Sequence, residues 1–174
     1  MAEEFSMAVK QSYSNEEWEK REAWYVKMNQ EIIMPVDGNP QDVQRYANQL
    51  ERVLSIARCD YAYVKQNEYK FDLYYKTMKE AMTTKLEEEG IVKPGTKLTV
   101  DDKKSYVAAY LMTKPFESYG LPLIKLLEVT KQREIFMDAM VKALTDKKDL
   151  LISHTSAIKT EASLNNFSSS VPKN

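Results

Sequence analysis

The sequence predicts an all-α fold, a long antiparallel helical hairpin with a short N-terminal helix, a short connecting helix and heptad-type packing. Three observations predict this fold. The 174 residues include only 4 glycines and 6 prolines, which favours long uninterrupted elements. Residues 41–89 contain neither glycine nor proline, and apolar residues recur there every seven positions, as in a helix packed along one seam. A second seven-residue series follows in the C-terminal third, so two long helices are available to pair.

The predicted seam of the first long helix, residues 40–89, combines two interleaved series. The first series is Val43, Leu50, Ala57, Val64, Phe71 and Met78, and the second is Ala47, Leu54, Tyr61, Glu68, Tyr75 and Met82. Glu68 is the one polar residue in this seam. A helix of this length extends about 70 Å, and the absence of period-two alternation argues against a strand.

A short N-terminal helix is predicted over residues 15–34. Asn15 can cap it, and the acidic residues that follow suit the positive end of a helix dipole. The segment PVDGNP (35–40) then interrupts the chain. It places Pro40 at the first position of the next helix, where the missing N–H is tolerated.

The connecting region is predicted to contain a short helix over residues 100–113. Gly90 is placed at the end of the first long helix, and Thr99 with Asp102 resembles a capping box. The last long helix is predicted over residues 121–163. Its seam series is Leu123, Thr130, Met137, Leu144, Leu151 and Ile158, with partners at Leu126, Leu127, Met140 and Val141.

One helical domain is expected over residues 1–162, followed by a Ser-rich tail (163–174) that is expected to be disordered. A long heptad helix rarely stays solitary, which favours a homo-oligomer. Tyrosines form a second stripe on the first long helix. They pack either on the N-terminal helix, through its tryptophans, or on another copy; the tyrosines are Tyr46, Tyr61, Tyr63, Tyr69, Tyr74 and Tyr75.

The composition excludes several classes of protein. The net charge is −1, so nucleic-acid or lipid binding requires a local patch. Cys59 is the only cysteine, which favours a reducing compartment and argues against a disulfide framework. The first residues lack the apolar segment of a secretory signal, and no apolar run is long enough for a membrane span. We therefore expect a cytoplasmic protein without membrane contact.

No catalytic constellation is present in the sequence. His154 is the only histidine and Cys59 the only cysteine, and nothing in the sequence indicates that they meet. There is no phosphate-binding loop and no metal-ligand spacing. We expect a protein that is not an enzyme and needs no cofactor or metal.

Two sets of basic residues suit a polyanion. Lys142, Lys147, Lys148 and Lys159 lie on the last helix, although Asp146 and Asp149 can neutralise them. On the first long helix, arginines and a lysine lie near tyrosines, and single-strand binding uses such cations for phosphates and such rings for bases. Its cations are Arg45, Arg52, Arg58 and Lys65. The alternative is that these residues are ordinary flanks of a coiled coil.

The segment VLSIARCDYAY (53–63) resembles the Ala-Arg-x-Asp-Tyr stretch of UvsY-type phage recombination mediators, and the order of elements over residues 41–162 is similar. The resemblance implies a ring-like homo-oligomer that binds single-stranded DNA. It also implies loading of a RecA-like recombinase onto strands covered by a single-strand-binding protein. Arg58 matches a basic position of the family and Arg52 falls in a basic pair, whereas Ile56 replaces a basic residue.

The leading hypothesis is a phage DNA recombination and replication accessory protein that contacts single-stranded DNA. Its proposed contacts are Arg52, Arg58 and Lys65, aided by Lys147 and Lys148. The alternative is a helical assembly or adaptor protein, such as a virion or scaffold component, with no nucleic-acid role. A helical enzyme subunit or regulator is a third and weaker interpretation, for which no substrate is indicated.

Overall fold

The computed structural model describes residues 15–35, 39–116 and 120–169. These residues form four helices and no β-strand: α1 (Asn15–Glu31), α2 (Pro40–Glu88), α3 (Val100–Thr113) and α4 (Leu123–Ser169). The two long helices, α2 and α4, pack against each other, so the predicted all-α hairpin is confirmed. None of the described helices contains an apolar stretch long enough to cross a membrane.

Three of the four helices have bounds that differ from the predicted ones, and α4 begins two residues later than predicted. α3 has the predicted bounds, α2 ends one residue early, and α1 ends three residues early. α4 continues to Ser169, because neither glycine nor proline occurs between Pro122 and Pro172. The beginning of the Ser-rich segment is therefore helical, and residues 170–174 lie outside the described part of the chain.

Local hydrogen bonds explain where α2 begins and ends. At its start, Asn39 Oδ1 accepts a hydrogen bond of 3.0 Å from the backbone N–H of Gln41. At its end, the carbonyl of Leu86 accepts from the backbone N–H of both Ile91 and Val92. Gly90 adopts a positive φ of 68°, which lets the chain turn away from the helix as predicted.

The predicted capping box of α3 is confirmed. Thr99 Oγ1 accepts from the backbone N–H of Asp102 at 3.1 Å, and Asp102 Oδ2 accepts from the backbone N–H of Thr99 at 3.1 Å. Hydrogen bonds from the Thr99 hydroxyl and backbone lower the pKa of Asp102. Two orphan donors at the start of α3 are thereby satisfied.

The described chain divides into two compact units, each with its own core. The first, here called unit 1, contains α1, α2 up to Tyr61 and α4 from Met137 onward. Its core is formed by buried apolar side chains of all three helices. They are Trp18, Tyr25, Ile32, Tyr46, Leu50, Val53, Leu54, Ile56, Ala57, Met137, Met140 and Leu144.

A buried polar cluster attaches α1 to α2 within unit 1. Arg21 Nε and the Tyr25 hydroxyl each donate a hydrogen bond of 2.6 Å to the same oxygen of Asp60, Oδ2. Arg21 and Asp60 are each only 3% exposed. The Arg21 guanidinium also lies 5.3 Å from the centroid of the Trp24 ring. This cluster fixes which part of α2 lies under α1.

The second unit, unit 2, contains residues 62–136. Its core joins the second half of α2, α3, both connecting segments and the first turns of α4. The buried side chains are Phe71, Met82, Leu86, Val92, Val107, Leu111, Phe116, Leu123 and Leu126. Tyr110 donates a 2.6 Å hydrogen bond to Glu89, which raises the pKa of Tyr110 to about 12.

The prediction of a single domain over residues 1–162 stays a prediction.

The predicted heptad seam is the buried side of α2. All twelve seam positions of α2, including Glu68, are buried or half-buried. On α4 the series is buried from Leu123 to Leu144, but Ile158 is 38% exposed. Lys148 contacts Glu51, and Ile158 lies ten residues further along α4, where the antiparallel α2 reaches its first turn. Ile158 therefore has little of α2 left to pack against.

Candidate nucleic-acid interface

Arg52 and Arg58 are candidate DNA-binding residues that project from α2 into solvent. Both side chains are exposed, and neither forms an ion pair or hydrogen bond with a residue in the described ranges. They are six residues apart, so they leave the helix axis in directions that differ by about 120°. The structure therefore exposes both guanidinium groups but does not bring them together.

Lys148 lies against α2 rather than alone on a solvent face. Its Nζ contacts Glu51 Oε1, and this hydrogen bond lowers the pKa of the Glu51 carboxyl group. The charge of Arg58 lowers the Glu51 pKa further, by a smaller amount. Arg58 therefore lies on the flank of α2 that faces α4, seven residues beyond Glu51.

Lys65 belongs to a group of four charged residues within unit 2. Its Nζ lies 3.1 Å from Glu134 Oε1, and Lys131 Nζ lies 3.9 Å from Glu68 Oε1. Burial and a hydrogen bond between the two carboxyl groups raise the pKa of Glu68, whereas the hydrogen bond from Lys65 lowers the pKa of Glu134. Glu68, the polar residue of the predicted seam, thus has its partners on α4.

These contacts form a regular series, which we call the interhelical ladder. In unit 1 its pairs are Glu51–Lys148 and Tyr61–Asp138, and in unit 2 they are Lys65–Glu134 and Glu68–Lys131. Within each unit, a step forward along α2 is matched by an equal step backward along α4. In each unit, α2 and α4 therefore pair in antiparallel directions with a constant register.

Lys147 is directed toward α1. Its Nζ donates hydrogen bonds to the backbone carbonyl oxygens of Asn29 and Ile32, the second at 2.9 Å. α1 has no basic residue in its last turn, so Lys147 supplies from α4 the cation that the negative end of a helix favours. Burial lowers the pKa of Lys147.

Replacing Lys147 by methionine is expected to lower the free energy of unfolding by about 1–2 kcal/mol. Methionine keeps an apolar stem but leaves the two α1 carbonyls without their charged donor. Chemical denaturation monitored by circular dichroism measures the effect. Lys142→Met is the matched control, since Lys142 is exposed on the same helix, and it should change stability by less than about 0.5 kcal/mol. Equal effects of the two substitutions would contradict this role of Lys147.

The structure distributes the five candidate cations among three settings. Lys65 and Lys148 belong to the interhelical ladder, Lys147 caps α1, and Arg52 and Arg58 are exposed. The sequence had suggested neighbouring aspartates as counterions for the lysines of α4. The carboxylate that Lys148 contacts lies instead on α2, at Glu51. Only the register in which the two seams pair could have predicted this partner.

The chain matches no protein-family model, no curated protein and no solved structure. The resemblance of residues 53–63 to recombination mediators is therefore supported by the quoted motif and the order of helices alone. The fold and contacts define an α-helical hairpin protein.

Proposed function

We propose that the protein is a non-enzymatic accessory protein of phage-type DNA recombination and replication. It assembles as a homo-oligomer in the host cytoplasm, binds single-stranded DNA, and helps to load a RecA-like recombinase onto strands covered by a single-strand-binding protein. The observation that carries the proposal is the exposure of Arg52 and Arg58, without ion-pair partners in the described ranges. These are the two residues that the resemblance to mediators assigns to DNA.

The charge distribution explains why the proposal includes an oligomer. A protomer with a net charge of −1 and two arginines on different sides of α2 holds a strand weakly. Repeating the same weak site in several copies raises the overall affinity without any new contact. Lys65 and Lys148 keep partly exposed side chains and assist, whereas Lys147 is left out because two of its three donors are used by carbonyl oxygens at the end of α1.

The test is a fluorescence-anisotropy titration of a labelled single-stranded oligonucleotide, at low and moderate salt, on protein of known mass from light scattering. The double variant Arg52→Ala, Arg58→Ala is expected to bind more weakly. Its affinity should also depend less on salt. In a plot of the logarithm of the binding constant against the logarithm of the salt concentration, the slope should become shallower by about 0.7 for each phosphate that the variant no longer binds. Lys104→Ala is the control, because Lys104 is an exposed cation of α3 that belongs to neither set of candidate DNA contacts. Unchanged affinity and slope in the double variant would remove both arginines from the interface.

The second candidate is a helical assembly or adaptor protein with no nucleic-acid role. It is favoured by apolar side chains that remain more than half exposed on α4, Leu150 at 55% and Ile152 at 53%. It is also favoured because three of the five candidate cations, Lys65, Lys147 and Lys148, form contacts within the protomer. An oligomer that ignores the strand even at low salt would select this candidate.

A further inference from the structure

Tyr69 is the exception among the six tyrosines of α2. Its side chain is 71% exposed, whereas the other five are buried or half-buried. A buried tyrosine ring contributes strongly to packing, and an exposed one does not. Packing on α1, which is the role considered for the tyrosine stripe within one protomer, therefore does not account for this ring.

The residues around Tyr69 form a narrow strip on α2, all within unit 2. Lys65 lies one turn before it, Leu73 one turn after it, and Lys76 two turns after it, which places all four on one face of the helix. Leu73 is 52% exposed. Tyr69 is close enough to Lys76 to contribute to the raised pKa of that lysine, after the larger effect of its hydrogen bond with Asp72. We call these four residues the Tyr69 strip.

Both lysines of the strip keep capacity for a further anion. Lys65 pairs with Glu134 and Lys76 pairs with Asp72 at 2.6 Å, yet their side chains remain 53% and 66% exposed. This exposure lets a phosphate oxygen approach either ammonium group from the solvent side. Residues 62–80 carry four lysines and three carboxylates, so this stretch has a net charge of +1, whereas the whole chain has a net charge of −1.

We propose that Tyr69 is a base-stacking residue for single-stranded DNA, with Lys65 and Lys76 contacting phosphates on either side of the ring and Leu73 extending its apolar surface. An exposed ring between flexible cations is the arrangement that binds single strands without sequence preference. The inference rests on the proposed function. Base stacking by Tyr69 adds to the proposed function a residue that the resemblance to mediators does not assign. It also adds a type of contact that does not depend on salt.

The experiment compares two labelled strands of equal length, oligothymidylate and a strand of abasic sites, in anisotropy titrations at fixed salt. Tyr69→Ala is expected to weaken binding of oligothymidylate by about tenfold and to leave binding of the abasic strand unchanged. Tyr69→Phe, which keeps the ring, should behave as the original protein. Tyr106→Ala is the matched control, since Tyr106 is an exposed tyrosine of α3 at 39% exposure, and it should affect neither strand.

The outcomes separate this inference from the proposed function. If the unmodified protein binds neither strand, the proposed function fails, and this inference fails with it. If the protein binds but Tyr69→Ala has the affinity of the original for both strands, only the stacking role is overturned. If Tyr69→Ala lowers the oligomer mass measured by light scattering, Tyr69 contacts a second copy of the chain, and the stacking role is again overturned.

Discussion

Replacing Asp60 by alanine is expected to lower the free energy of unfolding by about 3–5 kcal/mol. The substitution removes the carboxylate that accepts from both Arg21 and Tyr25 and leaves a guanidinium buried without its counter-ion. The cost comes mainly from removing this carboxylate, because the Arg21 guanidinium stays buried and can reach water only if α1 leaves the core. Urea denaturation followed by circular dichroism measures the loss of stability. Tryptophan fluorescence reports on α1 alone, because Trp18 and Trp24 both lie in that helix.

Two further variants distinguish a buried charge from a general loss of packing. The double replacement Arg21→Met, Asp60→Leu removes both charges and should be more stable than Asp60→Ala, since apolar side chains of similar volume often replace a buried pair well. Asp72→Ala removes the partner of Lys76 in an exposed pair on α2, and should cost less than about 0.5 kcal/mol. A loss below about 1 kcal/mol for Asp60→Ala would show that Arg21 finds water or another partner.

Replacing Leu111 by alanine is expected to destabilise unit 2 by about 2–5 kcal/mol. α3 has only two buried side chains, Val107 and Leu111, and Leu111 is 2% exposed. Truncating one of them removes much of the apolar surface that holds α3 in the core. Hydrogen exchange should therefore accelerate first in the amides of α3, and denaturation should report the total decrease in stability.

Met112→Ala is the control for this substitution, because Met112 is the next residue of α3 and is 59% exposed. It should change stability by less than about 0.5 kcal/mol and leave the exchange of α3 unchanged. If Leu111→Ala had the same small effect, the attachment of α3 would depend on its hydrogen bonds. The hydrogen bond from Tyr110 to Glu89, which lies outside α3, would then carry it.

Local chemistry made the helices predictable. The capping box of Thr99 and Asp102, the turn at Gly90 and the start at Pro40 each depend on residues within a few positions of one another, and each lies where the sequence placed it. The seam of α2 was predictable for a similar reason, since a seven-residue repeat fixes one buried face whatever packs against it.

The long-range contacts were not predictable in the same way. Arg21 lies among glutamates and lysines in α1, a setting typical of a solvated surface, yet it is buried because Asp60 lies beneath it. Lys147 and Lys148 were predicted as neighbouring cations of a basic set that suits a polyanion, but they contact carbonyls of α1 and a carboxylate of α2. Which cations stay exposed depends on the register of α2 against α4, and residue types alone do not define that register.

The interhelical ladder also has a consequence for the kinetics of folding. Glu51 and Lys148 are separated by 97 residues along the chain, and Tyr61 and Asp138 by 77, whereas Glu89 and Tyr110 are separated by only 21. The entropy lost on closing a loop increases with its length, so contacts near the connecting segment form at the lowest cost. We expect the hairpin to close from the connection between α2 and α4 outward. The Glu51–Lys148 contact would form late. Folding should therefore be slower than for a helical protein whose helices are joined by short turns.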